Sequence, residues 1–261
     1  MSFYRQDASR RGTSMRRFST PVGRPARNYD FSVKAGSPID LEARTRYPAT
    51  RRRVEDHVQA LKWGHNNSKI GARSIRGRWR GMPIYTLTLE ERATCPRSCA
   101  HWLTCYGNTM PMALRMRHGA ELETALEREL SRLNHKHRGR GGFIFRLHVL
   151  GDFYSSAYVL RWAEWLAKFR GLFVFGYTAH APDSTTGKII GLLNARMPGR
   201  WVVRFSNQPI DRLGAITVQS EREAKDRGAI ACPAQTGKTD CCGTCGLCWQ
   251  TDRNIAFLAH A

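Results

Sequence analysis

Residues 1–50 carry few aliphatic side chains and no regular apolar spacing, and Pro21, Pro25, Pro38 and Pro48 interrupt them. That pattern predicts an irregular arm, disordered or laid across a neighbouring domain. Arg51 to Trp63 is long enough for a short helix. From residue 82 the pattern changes. Residues 82–89 (MPIYTLTL) are apolar and β-branched and predict a strand. Leu122, Leu126, Leu130 and Leu133 share one helical face in a segment from about Pro111 to His135, stopped by the glycines of 139–142. Phe143 to Val149 predicts the second strand, and Ser156 to Phe169 a helix with Val159, Trp162, Ala163 and Leu166 on one side. Leu172 to Tyr177 predicts the third strand. Ser184 and Thr185 cap a helix reaching Met197, stopped by Pro198 and Gly199, and Trp201 to Phe205 predicts the fourth strand. Ala215 to Val218 and Ala229 to Cys232 are weaker strands, with a short helix at Arg222 to Asp226 between them.

Strands interleaved with helices imply parallel pairing through right-handed crossovers. The fold class is therefore α/β: a partial (βα)6-type barrel or an open parallel sheet, with a doubly wound order fitting the same string. The chain divides into a basic arm (1–63), an α/β domain (64–231) and a C-terminal cysteine-rich segment (232–261). In such folds the chemistry collects where strands run out into loops. The first strand leads to Cys95, and the second to His148, Gly151 and Asp152. The third leads to Tyr177, Thr178 and His180, the fourth to Arg204, Ser206 and Asn207, and the fifth to Gln219 and Ser220.

Eight cysteines fall in two clusters. The opening residues have no apolar core of the kind a secretory leader needs, which predicts a cytoplasmic protein in which clustered cysteines hold metal rather than disulfides. Cys95, Cys99 and Cys105 (CPRSCAHWLTC) place three thiols on one loop, able to wrap one metal centre. Zinc would take His101 as a fourth ligand; a [4Fe–4S] cluster would be left with one open iron. In the second cluster, Cys242, Cys245 and Cys248 fall within seven residues and Cys232 can reach back as the fourth ligand, for zinc or iron–sulfur alike. Cys241 and Cys242 are not separable by spacing.

Charge adds a partner. The chain has 42 Lys and Arg against 21 Asp and Glu, a formal charge of +21, and 19 of those cations but 6 of the acids lie in residues 1–80. Such an excess favours a polyanion, and the N-terminal region is the predicted nucleic-acid contact. Trp63 and Trp79 among Lys62, Lys69, Arg73, Arg76, Arg78 and Arg80 suit base stacking with phosphate pairing, or equally the packing of the arm on the main domain. No run approaches a membrane-spanning length. Walker, serine-elbow, HExxH and GxGxxG motifs are absent, which excludes the hydrolases and dinucleotide enzymes they mark.

A cysteine loop after the first strand, then a helix and a second strand ending in Leu150-Gly151-Asp152, resembles the radical S-adenosylmethionine enzymes. The last cysteine gap here is five residues rather than two, and Asp152 stands where those enzymes carry Glu. The strings NNSKIG (66–71), CPRSCAHWLTCYG (95–107), RLHVLGDFYS (146–155) and RFSNQ (204–208), with the C-terminal cysteines, are similar to a phage and plasmid family called gene product eighty-eight, over about residues 64–250. The resemblance implies one or two [4Fe–4S] clusters, held by Cys95, Cys99 and Cys105 and by Cys232, Cys242, Cys245 and Cys248, with S-adenosylmethionine as cofactor. Gly151, Asp152, Tyr177, Ser206 and Asn207 become candidate ligand contacts, and His148, Asp152 and His180 candidate acid–base groups beside the first cluster. The function expected is an iron–sulfur enzyme acting on nucleic acid or a nucleotide-derived substrate. The competing expectation is a non-catalytic nucleic-acid-binding protein whose loops are stapled by zinc or a cluster.

Overall fold

Along Phe143–Leu147, Phe143, Phe145 and Leu147 pack into one core while Ile144 packs into another, so this strand is covered on both faces. It lies near the middle of the main sheet of a computed structural model that describes residues 31–54 and 59–259. The described strands are β1 (Arg51–Arg52), β2 (Lys62–Trp63), β3 (Ile84–Thr86), β4 (Arg115–Met116), β5 (Phe143–Leu147), β6 (Leu172–Thr178), β7 (Trp201–Ser206), β8 (Gly214–Val218), β9 (Ile230–Ala231) and β10 (Ile255–Leu258). The α-helices are α1 (Pro38–Leu41), α2 (Ala120–Lys136), α3 (Ser156–Lys168), α4 (Thr185–Arg196), α5 (Glu221–Asp226), α6 (Cys242–Cys245) and α7 (Leu247–Gln250).

Eight strands form one sheet in the order β2-β3-β5-β6-β7-β8-β10-β9, parallel except for the β2–β3 pair. From β3 to β8 spatial order follows chain order, without the reversal that defines a doubly wound sheet. No closed barrel forms among the described strands. The apolar stripes of α2, α3 and α4 bury Leu126, Leu130, Trp162, Leu166 and Ile190 on one face. The opposite face is covered by residues 70–82 and by the C-terminal cysteine segment, with Trp79, Ile84, Phe175, Val202 and Trp249 at its centre.

The structure shifts several elements expected from sequence. Residues 111–119 are not helical: Arg115 and Met116 form β4, paired with β1, and α2 begins after Gly119, whose φ of 134° is outside helical space. The helix expected over Arg51–Trp63 is extended where it is described, as β1 and β2; residues 55–58 lie outside the described residues. The last strand, β10, was not expected at all. It inserts between β8 and β9, so the chain returns to the main sheet after the C-terminal cysteines. Residues 31–54 are laid across the domain, with Val33 and Thr45 buried, whereas residues 1–30 lie outside the described residues. No helix among the described residues is long and apolar enough to cross a membrane.

Candidate functional site

The first cysteine loop leaves the C-terminal end of β3 through Glu90, Glu91 and Arg92, all buried. Glu91 accepts from Arg115 Nε at 2.6 Å and from Thr45 Oγ1 at 2.7 Å. Glu90 accepts from the Thr45 amide at 3.2 Å and pairs with Arg51 at 2.9 Å. Arg92 adopts φ 65°, uncommon for a residue with a side chain, and its guanidinium donates to the Trp102 and Arg44 carbonyls and to Asn108 Oδ1. Buried charges survive folding only when paired and hydrogen-bonded, and here the pairing ties both ends of the loop to residues 44–51. Residues 33–40 strap its outer side: the Val33 amide donates to Leu103, and Asp40 accepts from Trp102 Nε1 and Arg97, both at 2.8 Å.

Gly151 and Asp152, after β5, close the loop from beneath. Gly151 has φ +79°, and a Cβ there would sit 2.5 Å from Thr94 Oγ1 and 2.6 Å from Leu89 Cβ, so only glycine lets the two strand ends approach. Asp152 is buried; its carboxylate accepts from the Phe153 amide at 2.7 Å and the Ala179 amide at 2.6 Å, and its amide donates to Thr94 Oγ1 at 3.1 Å. Burial raises its pKa, against the opposing pull of His180 and these amides. The Cys95, Cys99 and Cys105 thiols lie within electrostatic range of one another. Burial first, then Asp152 and Cys105, push Cys95 well above the ordinary thiol range; burial raises Cys99, and it lifts Cys105 to about 11.

His101, on the same loop, reaches the far side of the sheet, with Nε2 3.0 Å from Thr217 Oγ1 and 3.1 Å from Asn207 Nδ2. The loop thus spans the mouth from β3 to β8, and His101 is engaged there by polar partners of its own. Asn207 serves the same bridge. It adopts φ 52°, and its Oδ1 accepts from the Thr217 amide at 2.8 Å, which ties β7 to β8.

The second group assembles on the other covered face. Cys242 and Gly243 donate backbone N–H to Lys69 and Ile70, and Cys232 donates to Ala256. Gly246, at φ 73°, ends α6 and starts α7, which folds Cys245 and Cys248 back on one another. Burial, then Cys248 and Cys232, raise Cys242 well above the thiol range, and burial lifts Cys245 to about 11. Cys241 differs from Cys242: its Sγ caps the N-terminus of α6 and accepts from Thr244. Trp249 stacks on Trp79 at 5.6 Å and packs against Phe175 at 4.6 Å. Arg204, fully buried, donates to the Cys248, Gly214, Arg253 and Thr251 carbonyls.

Among the described residues no three His, Cys, Asp or Glu side chains stand in metal-site geometry. The donor chemistry of both groups nonetheless suits a soft cation. Thiols crowded together under burial resist ionisation, and coordination reverses that balance by deprotonating them outright.

The remaining candidates are held by the fold. His148 is buried against Phe153 and Tyr158, its Nε2 3.4 Å from the Tyr158 hydroxyl and its Nδ1 without a partner among the described residues. Burial, aided by Arg146, presses its pKa down to about 3, so it is neutral and sealed from the mouth. His180 Nε2 lies 2.7 Å from the Phe153 carbonyl. The Tyr177 hydroxyl donates to Cys248 Sγ at 2.8 Å, which binds β6 to the second thiol group. Ser206 offers its carbonyl to Gln208 at 3.5 Å. Trp79 is a core residue rather than a stacking platform, whereas Trp63 is 43% exposed. Sequence reading missed Glu90, Glu91, Arg92 and Arg115, although two adjacent acids directly after an apolar strand, in so basic a chain, were a signal of buried pairing. The chain matches no family model, no curated protein and no solved structure.

Proposed function

We propose that the protein is an iron–sulfur enzyme of radical S-adenosylmethionine type, acting on nucleic acid or a nucleotide-derived substrate at the mouth of a partial (βα)6-type barrel. The observation that carries this reading is the meeting of Cys95, Cys99 and Cys105 with Asp152 at the C-terminal ends of adjacent parallel strands. The sequential order from β3 to β8 supports the barrel reading, since it is the order a βα barrel requires. A [4Fe–4S] cluster on three thiolates keeps one iron for an external ligand and supplies one-electron chemistry.

The chain's own residues supply position. The pairs of Glu91 with Arg115 and of Glu90 with Arg51 fix the loop's base, and Asp40 with Trp102 fixes its outer edge. Asp152 spends both carboxylate oxygens on the Phe153 and Ala179 amides, so its part is to hold the loops after β5 and β6 together beneath the thiols. His148 takes no proton near neutral pH. Cys232, Cys242, Cys245 and Cys248 form the second, structural site.

The rival, a metal-stapled nucleic-acid-binding protein, draws support from the exposed Trp63 beside exposed Lys62, Lys69, Arg73, Arg76 and Arg80. Anaerobic reconstitution with iron and sulfide separates the two. About 4 or 8 iron per chain, with retention of S-adenosylmethionine on equilibrium dialysis, supports the enzyme. Zinc alone, with no retained S-adenosylmethionine, overturns it.

A further inference from the structure

Arg146 lies on β5 opposite Phe175 of β6 and shares its sheet face with Ile144 rather than with the helix-packed Phe145 and Leu147. Its guanidinium stands over the Tyr177 ring at 4.5 Å and the Phe175 ring at 5.5 Å. Tyr177 is itself fixed by its bond to Cys248. The Tyr106 hydroxyl lies within electrostatic range of Arg146, Cys105 and Cys95. Arg146 is therefore linked to the second thiol group through Tyr177 and lies within electrostatic range of Tyr106 beside the first.

Its bonding sets it apart from the other interior arginines. Arg115 donates to Glu91, Thr50, Ala113, Gly107 and Met110; Arg204 donates to four carbonyls; Arg92 donates to three acceptors and faces Glu91. Half-buried Arg146 makes one hydrogen bond, to the Leu147 carbonyl, and pairs with no carboxylate among the described residues. Among the described residues its Nε and Nη2 have no acceptor, and neither atom is sealed from solvent. A planar guanidinium placed over two aromatic rings, with donors left over, suits an oxyanion in two-point contact.

We propose that Arg146 anchors an anionic oxygen group, a phosphate or a carboxylate, of a ligand bound beside Tyr177 at this end of the sheet. The inference rests on the reading of that mouth as the enzyme's site, and it extends that reading to the substrate's charge.

The test follows the Nε–H resonance of Arg146 in full-length protein labelled with 15N-arginine, assigned by its loss in Arg146→Gln. Inorganic phosphate and acetate are titrated in turn at an ionic strength held constant with chloride. The proposal expects this resonance to shift saturably with one of the two, phosphate marking a phosphoryl ligand and acetate a carboxylate. By calorimetry, affinity for that anion should fall about tenfold or more in Arg146→Gln and stay within about twofold in Arg170→Gln, an exposed control before the start of β6. A resonance that moves no further with either anion than with chloride overturns the proposal, as does undiminished affinity in a folded Arg146→Gln protein. The wild-type titration stands without any variant. Iron content of the same samples reports on the cluster separately, so loss of either reading leaves the other measurable.

Discussion

The loop carrying Cys95, Cys99 and Cys105 is fastened by charged side chains, whereas the segment from Cys232 to Cys248 is fastened by its backbone, one guanidinium and a stacked tryptophan. In the first, Glu90, Glu91, Arg92 and Arg115 make a buried ionic knot with residues 44–51, and its three cysteines are half-buried, as are Cys242 and Cys245 of the second, whereas Cys232, Cys241 and Cys248 are buried. In the second, amides of Cys232, Cys242 and Gly243 dock on carbonyls of neighbouring segments, and Trp249 fills the core with no exposure. Side-chain charge holds a loop that crosses the ends of the strands. Backbone pairing and apolar burial suit a segment that closes a face.

The largest effect expected from this contrast is at Glu91. Glu91→Gln leaves the guanidiniums of Arg115 and Arg92 buried without their counter-charge, and unfolding in urea should show a loss of about 3–5 kcal/mol. A loss below about 1 kcal/mol would mean that the knot is solvated and the contrast is false. Arg204→Met strips donors from four carbonyls around the second group, with an expected cost of about 3 kcal/mol. Thiol labelling sharpens the point: Cys232 to Cys248 should react faster in this variant while Cys95, Cys99 and Cys105 keep their rates.

Next comes Gly151→Ala, which forces a side chain into φ +79° and against Thr94 and Leu89, for about 1–3 kcal/mol. Thermal unfolding reads it, and an unchanged midpoint would remove the close approach beneath the first loop.

The most gradual effect, small over any one pH unit, is a pH slope. His148 in the folded protein takes a proton only near pH 3, whereas the unfolded chain takes one near 6.5. The unfolded state therefore binds more protons between those values, and stability is lost as pH falls from about 6.5 towards 3. The loss should run at about 1.4 kcal/mol per pH unit relative to His148→Phe. Parallel pH profiles for the two proteins would show that His148 is not sealed.

Much of this architecture was legible in the chain. Strand–helix alternation gave the parallel sheet, because apolar spacing reports which faces are covered. Short spacing told which cysteines share a segment, Cys95, Cys99 and Cys105 on one loop and Cys241 to Cys248 on another, but not how their thiols are arranged: among the described residues no three stand in metal-site geometry. Three further things were not legible. Arg115 and Met116 read as helix because propensity ignores the pull of a distant Glu91. β10 escaped notice because four residues, Ile255–Leu258, carry little periodic signal and find their partners only through the sheet. The roles of His148 and Asp152 depended on depth: a post-strand position says that a residue stands near the mouth, not whether its polar atoms already have partners.

The claim that the first thiol group is reactive and the second structural is tested most directly by Cys99→Ala and Cys248→Ser, each reconstituted anaerobically, reduced, and assayed for iron and for 5′-deoxyadenosine released from S-adenosylmethionine. The account predicts that Cys99→Ala stays folded, keeps the iron of the second group, about 4 per chain, and releases none. It predicts that Cys248→Ser loses iron and solubility together, since metal binding and local folding are linked. Release of 5′-deoxyadenosine by Cys99→Ala, or a soluble Cys248→Ser protein with full iron content, would contradict it.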